Sequence, residues 1–382
     1  MVITIIEWVI FGLLCMPVAY LLFFAIASKL PLHKKRNEAT EKNILVLFPA
    51  YKEDLVIEDS VKSVLNQQYS RSMYEIVVIA DKLSQSTVEK LREVGAAVLD
   101  VNFENSSKAK ALNFAMSQIA GPFDIVVILD ADNIVKPDFL RRINNSFSGG
   151  IKAVQAHRTA KNMNTDIAVL DAISEEMSNS MLRKGHNVAG LSSALIGSGM
   201  AFDYQWFKDN VGSLTSAGED KELEKLLLKQ NIFIEYLPDV DVLDEKIQSG
   251  KGFYSQRRRW ISAQFYSMIE SVRDFPSAVR QRNINYCDKL FQWMMLPRVL
   301  LLGIIIVITA ASFCTIYIGS IKWCILLFSI ITAFFLAIPN YLLNFKLLKA
   351  FLKLPVVFFM MALNLLRIKG SRNKFYHTDH KM

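Results

Sequence analysis

The sequence predicts an α/β fold, in which a doubly wound mixed sheet is inserted between one N-terminal and two C-terminal transmembrane helices and is followed by interfacial helices. Two observations predict it. Between residues 43 and 130, short apolar runs alternate with helical patterns, which is typical of βαβ units that place helices on both faces of a sheet. Outside this part, three long apolar runs could each cross about 30 Å of hydrocarbon as a helix.

These three apolar runs are the candidate transmembrane helices. The first, Val2–Ala27, carries one charge, Glu7, whereas runs 299–318 and 323–345 carry none. A cleaved signal peptide is the alternative for the first run, but the run is too long and lacks a basic start and a small-residue cleavage site. The apolar segment 354–366 is too short for a full crossing, so an interfacial or re-entrant helix is predicted there.

The basic residues predict an orientation. Lysines and arginines follow the first run and flank the outer ends of the last two, whereas the loop between those two carries only Lys322. By the positive-inside rule, residues 37–290 and the C-terminus are cytoplasmic, at a plasma membrane such as a bacterial inner membrane. The net charge of +8 fits a protein that lies against anionic membrane lipids and binds anionic substrates, so no nucleic acid is expected as a partner.

These features divide the chain into five predicted parts. They are a transmembrane helix at 1–28, a cytoplasmic domain at 37–250, interfacial helices at 251–290, a transmembrane hairpin at 299–345, and an interfacial helix with a C-terminal tail at 346–382. The four cysteines lie in or near apolar runs, and they show neither a disulfide framework nor metal-binding spacing.

Polar residues follow three of the predicted strands, and they are the candidate site. Strand 44–48 runs into Pro49-Ala50-Tyr51-Lys52-Glu53, strand 76–80 into Asp81, and strand 125–129 into Asp130-Ala131-Asp132. Ligands of such sheets bind at the carboxyl ends of the strands, where these residues meet. Two carboxylates around one small residue can hold a hard divalent cation whose shell a diphosphate completes. The plain alternative is that Asp130 and Asp132 only end a strand and cap the next turn.

Three later segments add candidate residues. Gly197-Ser198-Gly199 lets backbone approach a ligand closely, and Glu219-Asp220 opens a predicted helix, where an acidic pair usually serves only the helix dipole. Gln256-Arg257-Arg258-Arg259-Trp260 offers arginine forks for phosphate and an aromatic wall for a sugar, although such a run can also be a membrane-surface anchor. On a helix Gln256, Arg259 and Trp260 share one side, which we expect to face the site, while Arg257 and Arg258 point elsewhere in a looser role.

In this order the motifs resemble those of membrane-bound family-2 glycosyltransferases, a group that includes cellulose, chitin, hyaluronan and poly-N-acetylglucosamine synthases and ceramide glucosyltransferase. The motifs are Pro-Ala-Tyr-x-Glu, Ile-Ala-Asp, Lys-x-x-Ala-Leu-Asn, Asp-Ala-Asp, Gly-Ser-Gly-Met, Glu-Asp and Gln-x-x-Arg-Trp, within residues 43–270. The resemblance implies a GT-A type sheet and inverting transfer by single displacement from a nucleotide sugar, most simply a UDP-sugar. It also implies Mg²⁺ or Mn²⁺ as the cofactor.

The resemblance also implies a role for each matching residue. Asp81 would contact uridine, Lys108 would serve the donor, Asp130 and Asp132 would hold the diphosphate and metal, and Asp220 would be the general base. The nucleotide-sugar pocket would further include Pro49, Ala50, Tyr51, Glu53, Gln256, Arg259 and Trp260, the last three holding the diphosphate and roofing the acceptor. The C-terminal Phe375, Thr378 and His380 resemble a gating loop, in which His380 departs from the family's lysine; a solvated basic tail is the alternative.

Three functions remain open on the sequence. The first is transfer of the sugar to a growing polysaccharide or oligosaccharide at the cytoplasmic membrane face. The second is transfer of one sugar to a lipid acceptor, which the small number of spans favours unless the chain forms a homo-oligomer. The third is a catalytically inactive membrane scaffold, which would have no need to keep Asp130, Asp132, Asp220, Gln256 and Arg259 together.

Overall fold

The computed structural model describes residues 2–32, 38–216, 218–314 and 319–367, so the motif at Phe375, Thr378 and His380 lies outside the described residues. Its strands are β1 Ile44–Tyr51, β2 Tyr74–Asp81, β3 Ala97–Val101, β4 Ile125–Ile128, β5 Ile134–Val135, β6 Ala153–Ala160, β7 Met200–Asp203 and β8 Ile234–Asp244. These strands form one mixed sheet in the order β3-β2-β1-β4-β7-β6-β8-β5. The predicted α/β class is confirmed.

The helices before β8 are α1 Val2–Ala27, α2 Ile57–Leu65, α3 Gln85–Glu93, α4 Lys108–Gln118, α5 Phe139–Ser146, α6 Asp166–Ser178, α7 His186–Val188, α8 Tyr204–Val211 and α9 Glu219–Lys229. Those after it are α10 Gly250–Val272, α11 Phe275–Arg280, α12 Ile284–Met294, α13 Arg298–Ser312, α14 Ser320–Ala337, α15 Phe345–Phe351 and α16 Leu354–Leu366. A π-helical segment, Asn179–Gly185, joins α6 to α7, and short 3₁₀ turns lie at Arg71–Met73, Phe147–Gly149 and Asn340–Leu342.

The sheet is buried on both faces because successive side chains of each strand point to opposite sides. In β1, Ile44, Val46 and Phe48 enter one apolar core with residues of α2 and α5. Leu45 and Leu47 enter a second core, which contains residues of α4, α8 and α9. Strands β1 to β4 pair in parallel, whereas β7 is antiparallel to β4 and β6. The near-continuous apolar runs of the sequence are what a parallel sheet covered by helices requires.

Within the described residues, two helices are long and apolar enough to cross a membrane, Thr4–Ala27 and Ser320–Ala337. The number rises to four if two bent pairs are each one span: Ile284–Met294 with Arg298–Ser312, bent by 59°, and Phe345–Phe351 with Leu354–Leu366, bent by 50°. Helix α14 ends eight residues before the predicted run 323–345 does. The chain turns there because Pro339 has no N–H to donate and forces the residue before it into an extended conformation.

The single charge of the first helix has a partner on α14. Glu7 accepts a hydrogen bond from the Lys322 ammonium group at 2.6 Å and another from the Trp323 indole N–H at 2.9 Å. Both donors lie at the start of α14, and the Lys322 ammonium also lies 3.4 Å from the centre of the Trp8 ring. This cluster ties the ends of the two helices together and accounts for the one acidic residue in the first apolar run.

Helix α6 lies between the sheet and the apolar helices. Its residues Val169, Leu170 and Ile173 pack in a third core, which contains side chains of α1, α13 and α14. Its polar face carries Asp171 and Glu175, which meet basic side chains from other elements. This placement brings charged groups into the region between the sheet edge and the apolar helices.

Candidate active site

The strand ends converge as predicted. Tyr51, the last residue of β1, pairs with Asp81, the last residue of β2, and β4 lies on the other side of β1, two residues before Asp130. Asp81 is buried, and one of its carboxylate oxygens accepts a hydrogen bond from the backbone N–H of Phe103 at 3.4 Å. The motif Pro49-Ala50-Tyr51 forms the end of β1 itself, so it lines the same edge.

At this edge the chain turns at two lysines with left-handed backbone conformation, which the sequence analysis did not predict. Lys52 and Lys82, which directly follow the ends of β1 and β2, have left-handed φ angles of 58° and 59°. Residues with a Cβ adopt this region only at a cost of about 1 kcal/mol or more, and such strain is concentrated at functional sites. The two ammonium groups lie 5.3 and 5.4 Å from the centre of the Tyr51 ring. Positive charge therefore surrounds the tip of β1.

Lys108 brings the acidic motifs together. It is the first residue of α4, and its ammonium group donates to the carboxylate of Asp130 and, at 2.7 Å, to the carbonyl oxygen of Gly197. An oxygen of Glu219 lies 3.7 Å from the same nitrogen. Gly197 has a φ of 89°, and a Cβ there would lie 3.6 Å from that Glu219 oxygen. The left-handed backbone at this position favours glycine, so Gly197 lets three separate motifs meet.

This arrangement shifts two pKa values. Burial opposes the charge of Lys108, but the neighbouring Asp130 and Glu219 outweigh it and raise its pKa above the usual value. Burial raises the pKa of Glu219 to about 7; the Lys108 charge counteracts this effect, and the adjacent Asp220 adds to it. Glu219 is therefore a carboxyl group that titrates near neutral pH beside a lysine that stays charged.

Asp220 occupies a different environment from Glu219 although the two are neighbours at the start of α9. One of its oxygens accepts the backbone N–H of Lys221 at 2.9 Å, and the other lies 3.5 Å from the Lys221 ammonium group. Its side chain is 20% exposed, whereas that of Glu219 is 10% exposed and lies beside Lys108. The more open carboxylate of the pair is the one that the resemblance assigns as the base, and that role stays a prediction.

Asn133 organises the Asp130-Ala131-Asp132 turn, and the sequence reasoning missed it. Its side-chain oxygen accepts the backbone N–H of Asp130 at 3.0 Å and the hydroxyl of Ser198. Its side-chain nitrogen donates to Asp132 at 3.1 Å and to Asp244 at 3.2 Å. The amide thus ties both aspartates of the motif to the loop before β7 and to the end of β8.

The two aspartates suit a divalent cation that shares its ligands with a substrate. The second oxygen of Asp132 accepts a hydrogen bond from the backbone N–H of Glu245 at 3.0 Å. Among the described residues, no group of three or more His, Cys, Asp or Glu side chains could hold a metal. Mg²⁺ and Mn²⁺ sites at phosphate substrates use one or two carboxylates, and phosphate and water oxygens fill the remaining positions. Asp130 and Asp132 fit that pattern.

A buried network of charged side chains reaches Asp130 of the site, and the sequence analysis did not predict its members. Arg158 of β6 donates from Nε to Glu175 at 2.6 Å, and its Nη1 lies 3.9 Å from Asp130 and 3.7 Å from Asp244. The Lys246 ammonium group contacts Glu175 and Asp244. Burial disfavours the charge of Glu175, but Arg158 and Lys246 outweigh it and lower its pKa to about 2. An arginine within a strand was the available sequence signal.

Arg257 does not have the loose surface role that helical spacing suggested. It is buried, its guanidinium group contacts Asp171 of α6, and it lies 4.7 Å above the Phe253 ring and 4.5 Å above the Trp260 ring. Trp260 therefore shares a face with Arg257 as well as with Gln256, because both spacings bring residues together on a helix. Arg258, in contrast, donates to the carbonyl oxygen of Arg367 at 3.1 Å on a partly exposed face.

Another face of α10 is turned toward α9. Ala263 packs so closely on Gly218, the residue before Glu219, that a Cβ on Gly218 would lie 2.9 Å from the Ala263 methyl. Further along α10, Glu270 accepts a hydrogen bond from Lys225 of α9 at 3.1 Å. Arg259 lies one turn before Ala263 and hence on the same side of the helix. The side of α10 that carries Arg259 therefore packs against the start of α9 at Ala263.

Fold and site together are those of a GT-A type enzyme domain, with an acidic motif after the fourth strand and an acidic pair opening a helix beside it. Residues 42–263, more than half of the chain, match the family model described as glycosyltransferase like family 2. The chain belongs to this family, which confirms the family part of the resemblance.

Two curated relatives carry glycosyltransferase names. The probable glycosyltransferase YdaM of Bacillus subtilis (strain 168) is 22% identical over 264 residues, which are 65% of this chain and 62% of the relative. The 4,4'-diaponeurosporenoate glycosyltransferase of Staphylococcus haemolyticus (strain JCSC1435) is 34% identical over 104 residues, which are 26% of each chain. The chain therefore matches less than two thirds of the length of either relative.

A solved structure extends the similarity in fold beyond the sheet. The mannosyltransferase PcManGT from Pyrobaculum calidifontis, in complex with GDP-Man and Mn²⁺, superposes with a TM-score of 0.53 at 17% identity. The superposition covers 87% of this chain and 96% of that one, so it includes elements outside the sheet domain.

Proposed function

We propose that the chain is an inverting, metal-dependent glycosyltransferase that takes a sugar from a nucleotide sugar at the cytoplasmic membrane face. The observation that carries the proposal is the meeting of three motifs around Gly197, where Lys108 contacts Asp130 and Glu219, and Asp220 lies next to them. In a family-2 domain, an acidic motif, a cation and a carboxylate base at the carboxyl edge of a parallel sheet are the parts that direct displacement requires.

The residues of the chain have separate tasks in this reaction. Asp220 would take the proton from the attacking acceptor hydroxyl, so that the hydroxyl oxygen displaces the nucleoside diphosphate in one step with inversion. Lys108 and Arg259 would stabilise the negative charge that develops on the departing diphosphate, the latter through its planar fork. Asp130 and Asp132 would hold Mg²⁺ or Mn²⁺, which when bound neutralises part of the same charge. No second carboxylate nucleophile is needed, because one displacement forms no enzyme-bound sugar.

The donor proposed is a UDP-sugar, and Asp81 is the residue proposed to recognise its base. Its carboxylate lies buried at the tip of β2, next to Tyr51 at the tip of β1, where a base could stack on an aromatic ring and hydrogen-bond to the carboxylate. The structure of PcManGT contains bound GDP-Man, so a test of donor specificity should include GDP-linked sugars.

The acceptor proposed is the hydroxyl of a growing glycan or, as the alternative, of a membrane lipid. Helix α10 carries the Gln256–Trp260 motif and contacts α16. Asn364 of α16 donates a hydrogen bond to the carbonyl oxygen of Tyr254 in α10 at 3.2 Å. An acceptor delivered along α10 would therefore reach Asp220 next to apolar helices, which supports a hydroxyl presented at the membrane. The two to four candidate spans found among the described residues favour single transfer to a lipid, or an oligomer if a polymer is made.

Mass spectrometry of the products identifies the sugar and the acceptor, and NMR of the new glycosidic bond gives its anomeric configuration. Membranes containing the full chain, and membranes containing Asp220→Asn, would be incubated with a panel of UDP-sugars and GDP-mannose. We expect one donor to yield a glycan or glycolipid product with inverted anomeric configuration in the first sample only. Retained configuration, or equal product from both samples, would refute the proposed mechanism.

A further inference from the structure

Helix α6 joins the motif helix α10 to two strands of the sheet. Asp171 and Glu175 lie one helical turn apart, so their carboxylates lie on the same face. Asp171 binds Arg257 of α10, while Glu175 binds Arg158 of β6 and Lys246, which follows β8. All five side chains are buried, so their charges interact in a medium of low dielectric, where a misplaced partner is costly.

The same contacts continue to the aspartates of the site. Arg158 lies 3.9 Å from Asp130 and 3.7 Å from Asp244. The oxygen of Asp244 that faces Arg158 also accepts a hydrogen bond from Asn133 at 3.2 Å, and Asn133 donates to Asp132 at 3.1 Å. Arg257 is thus linked to both aspartates by polar contacts on either side of α6, and the helix itself spans the turn between Asp171 and Glu175. The longest of these contacts is the 3.9 Å between Arg158 and Asp130.

We propose that Arg257 is a positioning residue of the donor site: through Asp171, α6 and Arg158 it holds Asp130 and Asp132 in the geometry that binds the donor. The inference rests on the proposed function for the identity of the donor. Arg257 is suited to this task because its guanidinium group is fixed on three sides, by Asp171, the Phe253 ring and the Trp260 ring. The neighbouring Arg258 is partly exposed, donates to the backbone carbonyl oxygen of Arg367, and is the matched control.

The first test measures binding by the purified full chain. UDP affinity in the presence of Mn²⁺ would be determined by calorimetry for wild type, Arg257→Gln, Asp171→Asn and Arg258→Gln. Replacing a residue that orients a metal ligand without touching the metal typically lowers metal affinity about 10- to 100-fold. We therefore expect about a tenfold loss for the first two variants and no change for Arg258→Gln. If both Arg257→Gln and Asp171→Asn melt at lower temperature yet bind UDP and Mn²⁺ as tightly as wild type, the role is only structural and the proposal is wrong.

The second test needs neither nucleotide nor activity. The free energy of unfolding would be measured for Arg257→Gln, Asp130→Asn and the double variant, with Asp171→Asn, which keeps the side-chain volume, replacing Arg257→Gln if that variant does not fold. Distant independent sites give additive changes, whereas members of one polar network do not. Non-additivity supports the positioning link, and additivity refutes it. Should wild type bind no nucleotide, the proposed function fails while this cycle still decides the positioning role.

Discussion

Lys108 lies between the carboxylates of Asp130 and Glu219 at the sheet edge. Its ammonium group contacts Asp130 and Glu219 at once and donates to the Gly197 carbonyl oxygen. One cation between two carboxylates reduces their mutual repulsion, so both can lie next to the space where a diphosphate would bind. Glu219 is occupied by this contact, whereas Asp220 is turned away from Lys108 toward Lys221.

This difference leads to a prediction about the base. Asp220→Asn should abolish sugar transfer, because the attacking hydroxyl loses its proton acceptor, while UDP binding by calorimetry stays nearly unchanged. Glu219→Gln should keep substantial transfer activity, because it changes the environment of Lys108 and not the base. The opposite result, an inactive Glu219→Gln with an active Asp220→Asn, would assign the base to Glu219, whose pKa near 7 is also compatible with that task.

The raised pKa of Glu219 also predicts how stability depends on pH. Its pKa is about 7 in the folded protein against an ordinary value of 4.5, so the folded state keeps a proton that the unfolded state loses. Stability from this group is therefore full below pH 4.5 and is lost as the pH rises through 7. As the pH rises from 4.5 through 7, the melting temperature of wild type should therefore fall relative to that of Glu219→Gln, which has no carboxyl group to titrate. A difference that does not change with pH would contradict the assignment.

At the scale of elements, local pattern predicted the first four strands of the sheet domain. The apolar runs matched β1 to β4, and the polar residues at their ends predicted the edge where Tyr51, Asp81 and Asp130 meet. These features depend on the alternation of strands with helices and on residues next to one another in sequence. Spacing alone could not reveal the partners of Arg158 or Arg257, because those contacts are tertiary. Arg257 binds a helix 86 residues away, and Arg158 binds the helix that follows its strand only because the two pack together.

Helix α10 illustrates the limit of the helical-face argument. Residues three and four positions apart both lie close on a helix, so Trp260 could contact Gln256 or Arg257. The buried carboxylate of Asp171 and the Phe253 ring decide in favour of a stacked Arg257, and these are tertiary contacts. By helical spacing Arg259 lies on the side of α10 where Ala263 packs against Gly218, and its role at the diphosphate stays a prediction.

The contact of the π-helical segment with α1 predicts a site that accepts only glycine. A Cβ on Gly185 would lie 2.3 Å from the backbone carbonyl oxygen of Phe24, which cannot move without shifting α1. Gly185→Ala should therefore destabilise the protein by about 1–3 kcal/mol. Gly212→Ala is the control, because a Cβ there meets nothing within 4 Å. Thermal unfolding of both variants in detergent tests this, and equal midpoints would show that α1 can move away.

At the scale of the whole molecule, the basic flanks and the apolar helices predict one orientation across a membrane. Cys314 is exposed just after α13, on the side expected to face outward, and Ser148 is exposed in the sheet domain, on the side expected to face the cytoplasm. A membrane-impermeant thiol reagent should label Cys314 in intact cells. In a variant without other cysteines, Ser148→Cys should be labelled only after permeabilisation. The reverse pattern would invert the proposed topology.

The account as a whole depends on the two aspartates that follow β4 acting on a nucleotide sugar. The most direct measurement is the rate of product formation by wild type, Asp132→Asn and Asp138→Asn, the last being a partly exposed aspartate paired with Arg142 outside the site. We predict at least about a hundredfold loss for Asp132→Asn and for wild type in excess EDTA, because the leaving diphosphate then lacks its counter-charge. Asp138→Asn should retain the wild-type rate. Full turnover by Asp132→Asn, or by wild type in EDTA, would contradict the account.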